Sequence, residues 1–141
     1  MIVRNFGVSL PVMGYVDLFR ADEIDVDERL GAFVARAKAV YGMADLSVVT
    51  CEDVAATKPD PEGILKLMDQ LKVTPDEVIL LGDHAVDMHA AKAAGVHAIG
   101  ISHGFGTPAD LKEAGALRVV DDLATIPWII GRHNSGKDRL F

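Results

Sequence analysis

Val78-Ile-Leu-Leu-Gly-Asp-His-Ala-Val-Asp87 decides the fold. Val78 to Leu81 is short, apolar and rich in strand-forming side chains, as a strand buried on both faces requires, and Gly82 ends it in a turn. Asp83 then stands just past the carboxyl end of that strand, where ligands of open α/β sheets bind. A helix over Ala85–Ala94 follows, with Gly95 as its C-terminal stop and its alanines allowing close approach to a sheet. Asp87 comes four residues after Asp83, so a helix that begins near His84 turns both carboxylates to one opening above its first turn. The two together offer a pair of hard oxygen donors.

The same alternation continues on both sides. Strands are expected at Ser47–Thr50, His97–Ile101 and Arg118–Val120. A helix is expected over Asp27–Tyr41, with Leu30, Phe33, Val34, Ala37 and Val40 on one stripe. A second opens where Asp60 caps and Pro61 takes the first position, carrying Ile64, Leu65, Met68 and Leu71 inward. A further helix follows Thr107-Pro108 and ends at Gly115, and a short one follows Asp121 or Pro127. Met1–Asp25 has no clean period, and Gly131–Arg139 is polar. The reading is one α/β domain over residues 1–131, a mostly parallel sheet between helices in a Rossmann-like three-layer α/β/α arrangement, truncated or altered at its N-terminus. Residues 132–141 form a flexible tail.

Composition supports this and excludes other classes. A chain of 141 residues and 15.1 kDa suffices for one domain that buries roughly 68% of its unfolded surface. Half its residues are hydrophobic and 25% charged, the balance of a globular protein rather than a disordered one. With 14 Lys and Arg against 21 Asp and Glu, the formal charge is −7, which repels nucleic acid and anionic membranes. The single cysteine, Cys51, forms no internal disulfide and is read as a small packing residue. No Cys/His cluster has zinc spacing, and the expected location is a reducing cytoplasm. Pro11, Gly14 and Asp17 interrupt the apolar start, so neither a signal peptide nor a membrane helix is expected.

The chemistry centres on Asp83, Asp87 and the earlier Thr57-Lys58-Pro59-Asp60-Pro61. Magnesium takes one or two protein carboxylates, keeps several waters and shares a substrate's phosphate oxygens, so Asp83 and Asp87 suit it. Lys58 lies 25 positions before Asp83, with one helix and one turn between, which returns it to the same sheet edge in a right-handed unit. There its ammonium offsets phosphate charge. Each segment also has a plainer reading: Asp83 as a helix cap, and Lys58-Pro59-Asp60-Pro61 as a rigid helix entry. His84 and His89 are expected to diverge around their helix, His103 is read as a surface-loop residue, and Trp128 as packed on the core.

These residues resemble the haloacid dehalogenase superfamily and, within it, the phosphoglycolate phosphatase-like hydrolases. Lys58-Pro59-Asp60-Pro61 is similar to that family's third motif, and Gly82-Asp83-His84-Ala85-Val86-Asp87 to its fourth, whose carboxylates bind magnesium or orient the lysine. Ala90-Ala-Lys-Ala-Ala-Gly95-Val96, Gly100-Ile-Ser-His-Gly104, Leu111-Lys-Glu-Ala-Gly115 and Val119-Val-Asp-Asp-Leu123 resemble its C-terminal course, so the likeness covers about residues 41–130. The family's nucleophile lies in an Asp-x-Asp-Gly-Thr/Val-like loop on its first strand. That motif has no counterpart here: Asp17 is followed two residues on by Phe19, and Asp25-Val26-Asp27 lacks a preceding strand and a following glycine. For the phosphate-binding Ser or Thr of the second motif, Ser9 is a weak match, and Thr50, eight positions before Lys58, leaves no room for the intervening helix. The helical cap has no counterpart either.

The resemblance implies Mg²⁺-dependent hydrolysis of a small phosphorylated metabolite, with Lys58 and Asp83 catalytic, Lys58 on the phosphate, and Asp83 and Asp87 on the metal. Without the nucleophile motif, the alternative is a non-catalytic binding or regulatory domain, or a fragment completed by a partner chain. A homo-oligomer or partner chain joined through an unpaired sheet edge is a further expectation.

Overall fold

The computed structural model describes residues 2–4, 12–15, 47–49 and 53–137. The expected helix at Asp27–Tyr41 lies outside them, as do Ser9, Asp17, Asp25, Asp27, Thr50 and Cys51. Six strands form one sheet: β1 (Ile2–Arg4), β2 (Val12–Tyr15), β3 (Val48–Val49), β4 (Val78–Gly82), β5 (His97–Ile101) and β6 (Arg118–Val120). Their order is β3-β2-β1-β4-β5-β6. Among the described residues four helices accompany them, α1 (Glu62–Leu71), α2 (Ala85–Ala94), α3 (Pro108–Glu113) and α4 (Ile126–Asn134).

The half from β4 onward follows the expected course. β4 pairs parallel with β5, Leu80 opposite Ala98 and Gly82 opposite Gly100, and β5 pairs parallel with β6. Parallel neighbours need a crossover, and α2 and α3 supply the two. β1 and β2 are additions to the expectation, since three or four residues are too few to show a period. β1 runs antiparallel to both β2 and β4, so β4 is paired on both sides, while β2 and β3 are parallel.

Strand alternation divides the core between the two faces. Val78, Leu80 and Ala98 point to the face covered by α1, α2 and α3, among Ile64, Leu67, Met88, Ala90, Ala91 and Leu111. Ile79, Leu81 and Ile99 point to the other, against Ile126, Ile129 and Ile130 of α4. Helices therefore lie on both faces, as in Rossmann-like α/β folds. Close approach depends on small residues: a Cβ on Gly100 would stand 3.0 Å from Leu111 Cδ1.

The helix ends follow local chemistry. In α3, Thr107 Oγ1 accepts from Asp110 N at 3.2 Å, and Asp110 Oδ2 accepts from Thr107 N at 3.1 Å, a reciprocal capping box with Pro108 in the first turn. The hydroxyl of Thr107, and secondarily its amide, hold the Asp110 carboxyl below its ordinary value. α2 ends at Gly95 with φ 72°, a left-handed position that suits glycine.

Two side-chain placements and one helix end differ from the sequence reading. In α1 the buried row is Ile64, Leu67 and Met68, while Leu65 is 47% exposed; the inward stripe runs i, i+3, i+4, and Leu65 falls off it. Trp128 is 59% exposed, because Ile126, Ile129 and Ile130 take the inward positions of α4, and its ring meets Arg132 at 5.0 Å instead. α4 itself continues to Asn134, taking in residues expected as polar tail.

Candidate functional site

The site begins where β4 ends. Gly82 is followed by Asp83 and then by His84, which is extended (φ −130°, ψ 152°) and forms the N-cap of α2. His84 Nδ1 accepts from Val86 N at 3.3 Å, and Asp87 Oδ2 accepts from His84 N at 3.0 Å. The cap is thus supplied by His84 and Asp87, so the plainer reading of Asp83 as a helix cap does not hold. Asp83 makes its contacts in the other direction, toward the loop after β5. Its Oδ2 accepts from Phe105 N at 3.3 Å and its carbonyl accepts from Gly106 N at 2.8 Å.

Lys58 reaches the same place from the other side of α1. Its Nζ lies 2.7 Å from Asp87 Oδ1, with the two side chains only 9% and 8% exposed. This is the juxtaposition that the right-handed β-α-β path implies for two residues 29 positions apart in sequence. The pair is stabilised by a short charge-assisted bond and withdrawn from water, so its geometry is fixed. Gly82 allows it: a Cβ there would come within 2.6 Å of Asp87 Cγ and 2.7 Å of Oδ2.

The loop that presents Lys58 is tied to the start of α1. The Lys58–Pro59 peptide is cis. Asp60 N donates to Thr57 O at 3.1 Å, and Asp60 Oδ1 accepts from Glu62 N at 2.9 Å. The segment is therefore a helix entry that also carries the lysine, although the helix begins one residue later than expected, at Glu62, with Pro61 rather than Asp60 at the N-cap. Glu62, which the sequence reading passed over, accepts from Ala55 N at 2.9 Å and Ala56 N at 3.0 Å. Those amides, Ala55 first, hold its carboxyl below the ordinary value. An acid in a helix's first turn was the available signal, since it favours the N-terminal dipole end.

A cavity of 560 Å³ opens beside the site between α2 and α3, bordered by His84, His89, Phe105, Asp110 and Glu113. His84 and His89 both border this cavity. The helical-wheel argument does not reach His84, whose backbone is extended rather than helical. His103 and Phe105 are exposed in the loop above, Phe105 at 85%.

The donor set suits a hard cation of low protein coordination. Among the described residues no group of three or more His, Cys, Asp or Glu side chains could enclose a metal. A magnesium site needs only one or two carboxylates. Asp83 fits that role, half-buried at the loop edge and held through Oδ2. Asp87 would have to share its oxygens with Lys58 and His84.

Comparison with known proteins agrees with this geometry. A family model described as haloacid dehalogenase-like hydrolase matches residues 45–101, the span that holds Lys58, Asp83 and Asp87. The chain is 38% identical over 101 residues to a phosphoglycolate phosphatase of Rhodospirillum rubrum, an alignment covering 70% of this chain and 42% of that protein. It is 39% identical over 71 residues to a phosphoglycolate phosphatase of Pseudomonas putida, covering 49% and 25%. Among solved structures, a hydrolase from Pseudomonas syringae matches with a TM-score of 0.61 and 29% identity over 71% of this chain and 46% of that one. A conserved haloacid dehalogenase-like protein of unknown function from Agrobacterium tumefaciens matches with a TM-score of 0.64 and 26% identity, over 77% and 51%. The chain thus spans less than half the length of these curated relatives.

Proposed function

We propose, from the premise that this chain belongs to the haloacid dehalogenase-like hydrolases, that it serves the hydrolysis of a small phosphate monoester of the phosphoglycolate kind. Its contribution is the electrostatic part of the site. The observation that carries this reading is the buried Lys58–Asp87 pair at the carboxyl end of β4, with Asp87 three residues beyond His84 and four beyond Asp83. Lys58 places a fixed positive charge where a phosphate dianion would approach. Asp87 holds that ammonium in register, and Asp83 supplies an oxygen ligand for Mg²⁺. When bound, the cation would neutralise phosphate charge and orient its oxygens.

Covalent phosphoryl transfer also needs a nucleophile and a proton donor for the leaving oxygen. The 141 residues contain no Asp-x-Asp-Gly sequence, and the strand beside β4, Ile2-Val3-Arg4, carries no carboxylate. That observation favours a second reading, a domain that binds a phosphorylated metabolite without turning it over.

Hydrolysis of phosphoglycolate in Mg²⁺, compared between the parent and Asp83→Ala, separates the two. The enzyme reading expects turnover that falls at least about 100-fold in the variant. The binding reading expects calorimetric heat with Mg²⁺ and inorganic phosphate in the parent, absent in Asp83→Ala, and background hydrolysis in both. Neither turnover nor heat in the parent contradicts both readings.

A further inference from the structure

We propose that Gly104, 21 residues after Asp83 in sequence, is the positioning residue for the Asp83 carboxylate, the counterpart of what Gly82 does for Asp87. The proposal rests on the reading of Asp83 as an oxygen ligand for its consequence, but on geometry alone for its substance. A Cβ on Gly104 would overlap Asp83 Cβ, Cγ and Oδ2. The requirement is for room rather than for an unusual backbone: among the described residues the glycines with positive φ are Gly95, Gly115 and Gly136, and Gly104 is not one of them.

The neighbouring residues complete a clasp. Phe105 N donates to Asp83 Oδ2 at 3.3 Å, and Gly106 N donates to the Asp83 carbonyl at 2.8 Å. A Cβ on Gly106 would lie 2.9 Å from that same carbonyl oxygen. Three consecutive residues of the β5–α3 loop therefore seat one aspartate by its side chain and its backbone. The glycine adjacent to Asp83 in sequence, Gly82, faces Asp87 instead. Each acid of the site lies against a glycine, and the pairing is crossed relative to sequence proximity. Packed contact on one side and a hydrogen bond to Oδ2 restrict the Asp83 side chain.

The test compares the full chain with Gly104→Ala, using Gly131→Ala as a control because a methyl there meets nothing within 4 Å. Three-bond couplings to Asp83 Cγ report its χ1. A single rotamer in the parent and in Gly131→Ala, and rotamer averaging or a changed rotamer in Gly104→Ala, supports the proposal. The same single rotamer in Gly104→Ala overturns it. Thermal midpoints provide a second arm should Gly104→Ala fold poorly: its loss is expected to disappear when Asp83→Gly removes the side chain it strikes, and an equal loss in both backgrounds overturns the proposal. Mn²⁺ serves as the metal probe, with half-saturation of broadening at the Asp83 amide expected to move at least 10-fold higher in Gly104→Ala. Absence of any Mn²⁺ effect in the parent removes Asp83 from the metal role proposed above, and the rotamer and midpoint arms still decide the role of Gly104.

Discussion

Replacing Asp87 with alanine is expected to lower the unfolding free energy by about 3–5 kcal/mol, the cost of breaking a buried ion pair by removing one member. Three losses combine in that one substitution. The ammonium of Lys58, 9% exposed, loses the carboxylate at 2.7 Å. The amide of His84 loses its acceptor at 3.0 Å, and the capping box of α2 opens. A hole is also left beside Gly82, whose absent side chain makes room for Asp87. Asp87→Asn keeps one side-chain oxygen and nearly the same volume, so it should cost less than alanine. Urea denaturation measures both, and an unchanged slope with a lowered midpoint identifies a loss of native-state stability. A cost below about 1 kcal/mol for Asp87→Ala would mean that Lys58 is not held by this carboxylate.

The second large effect belongs to the strand that carries the site. Leu80→Ala is expected to cost about 2–5 kcal/mol, the range for truncating a buried leucine in a close-packed core. Leu80 is 1% exposed and lies in β4, paired on one side by β1 and on the other by β5. Its side chain belongs to the layer shared by α1, α2 and α3, so relaxation around the cavity requires movement of several elements. Leu65→Ala, on the exposed side of α1, should change stability by no more than about 0.5 kcal/mol. The contrast is read from the same urea transitions. Equal costs at the two leucines would contradict the core described above.

The sequence was most informative where a short apolar run meets a turn. β4 and β5 lie at the expected positions because buried parallel strands are nearly continuous apolar segments, and the half-buried β6 follows at its expected place; Gly95 marks a helix end through its left-handed backbone and Thr107 a helix start through its hydroxyl. Lys58 was legible at the same sheet edge as Asp83 because the connection between two parallel strands has a fixed hand, whereas its bond to Asp87, expected as a metal ligand, came from the structure. Less was legible where a side chain's face had to be chosen. Leu65 and Trp128 are hydrophobic enough for the core, yet the helix period gives those inward positions to Leu67 and to Ile129 and Ile130. Glu62 was missed because its partners, Ala55 and Ala56, contribute only backbone amides, which carry no residue signature. The dependence of Asp83 on Gly104 was hidden for a related reason: a close approach across 21 residues leaves no local pattern. Nothing in Ile2-Val3-Arg4 indicated a strand running against β4, since three residues fix no period and no direction.

The site is built on Lys58 and Asp87 meeting at the carboxyl end of β4, and a double-mutant cycle tests that most directly. Urea midpoints of the parent, Lys58→Met, Asp87→Ala and the double variant give the coupling between the two side chains. A coupling of about 2 kcal/mol is expected, with the double variant more stable than the sum of the single losses predicts, because the bond between the two side chains can be lost only once. Additive losses, within about 0.5 kcal/mol, would place the two side chains apart and contradict the site.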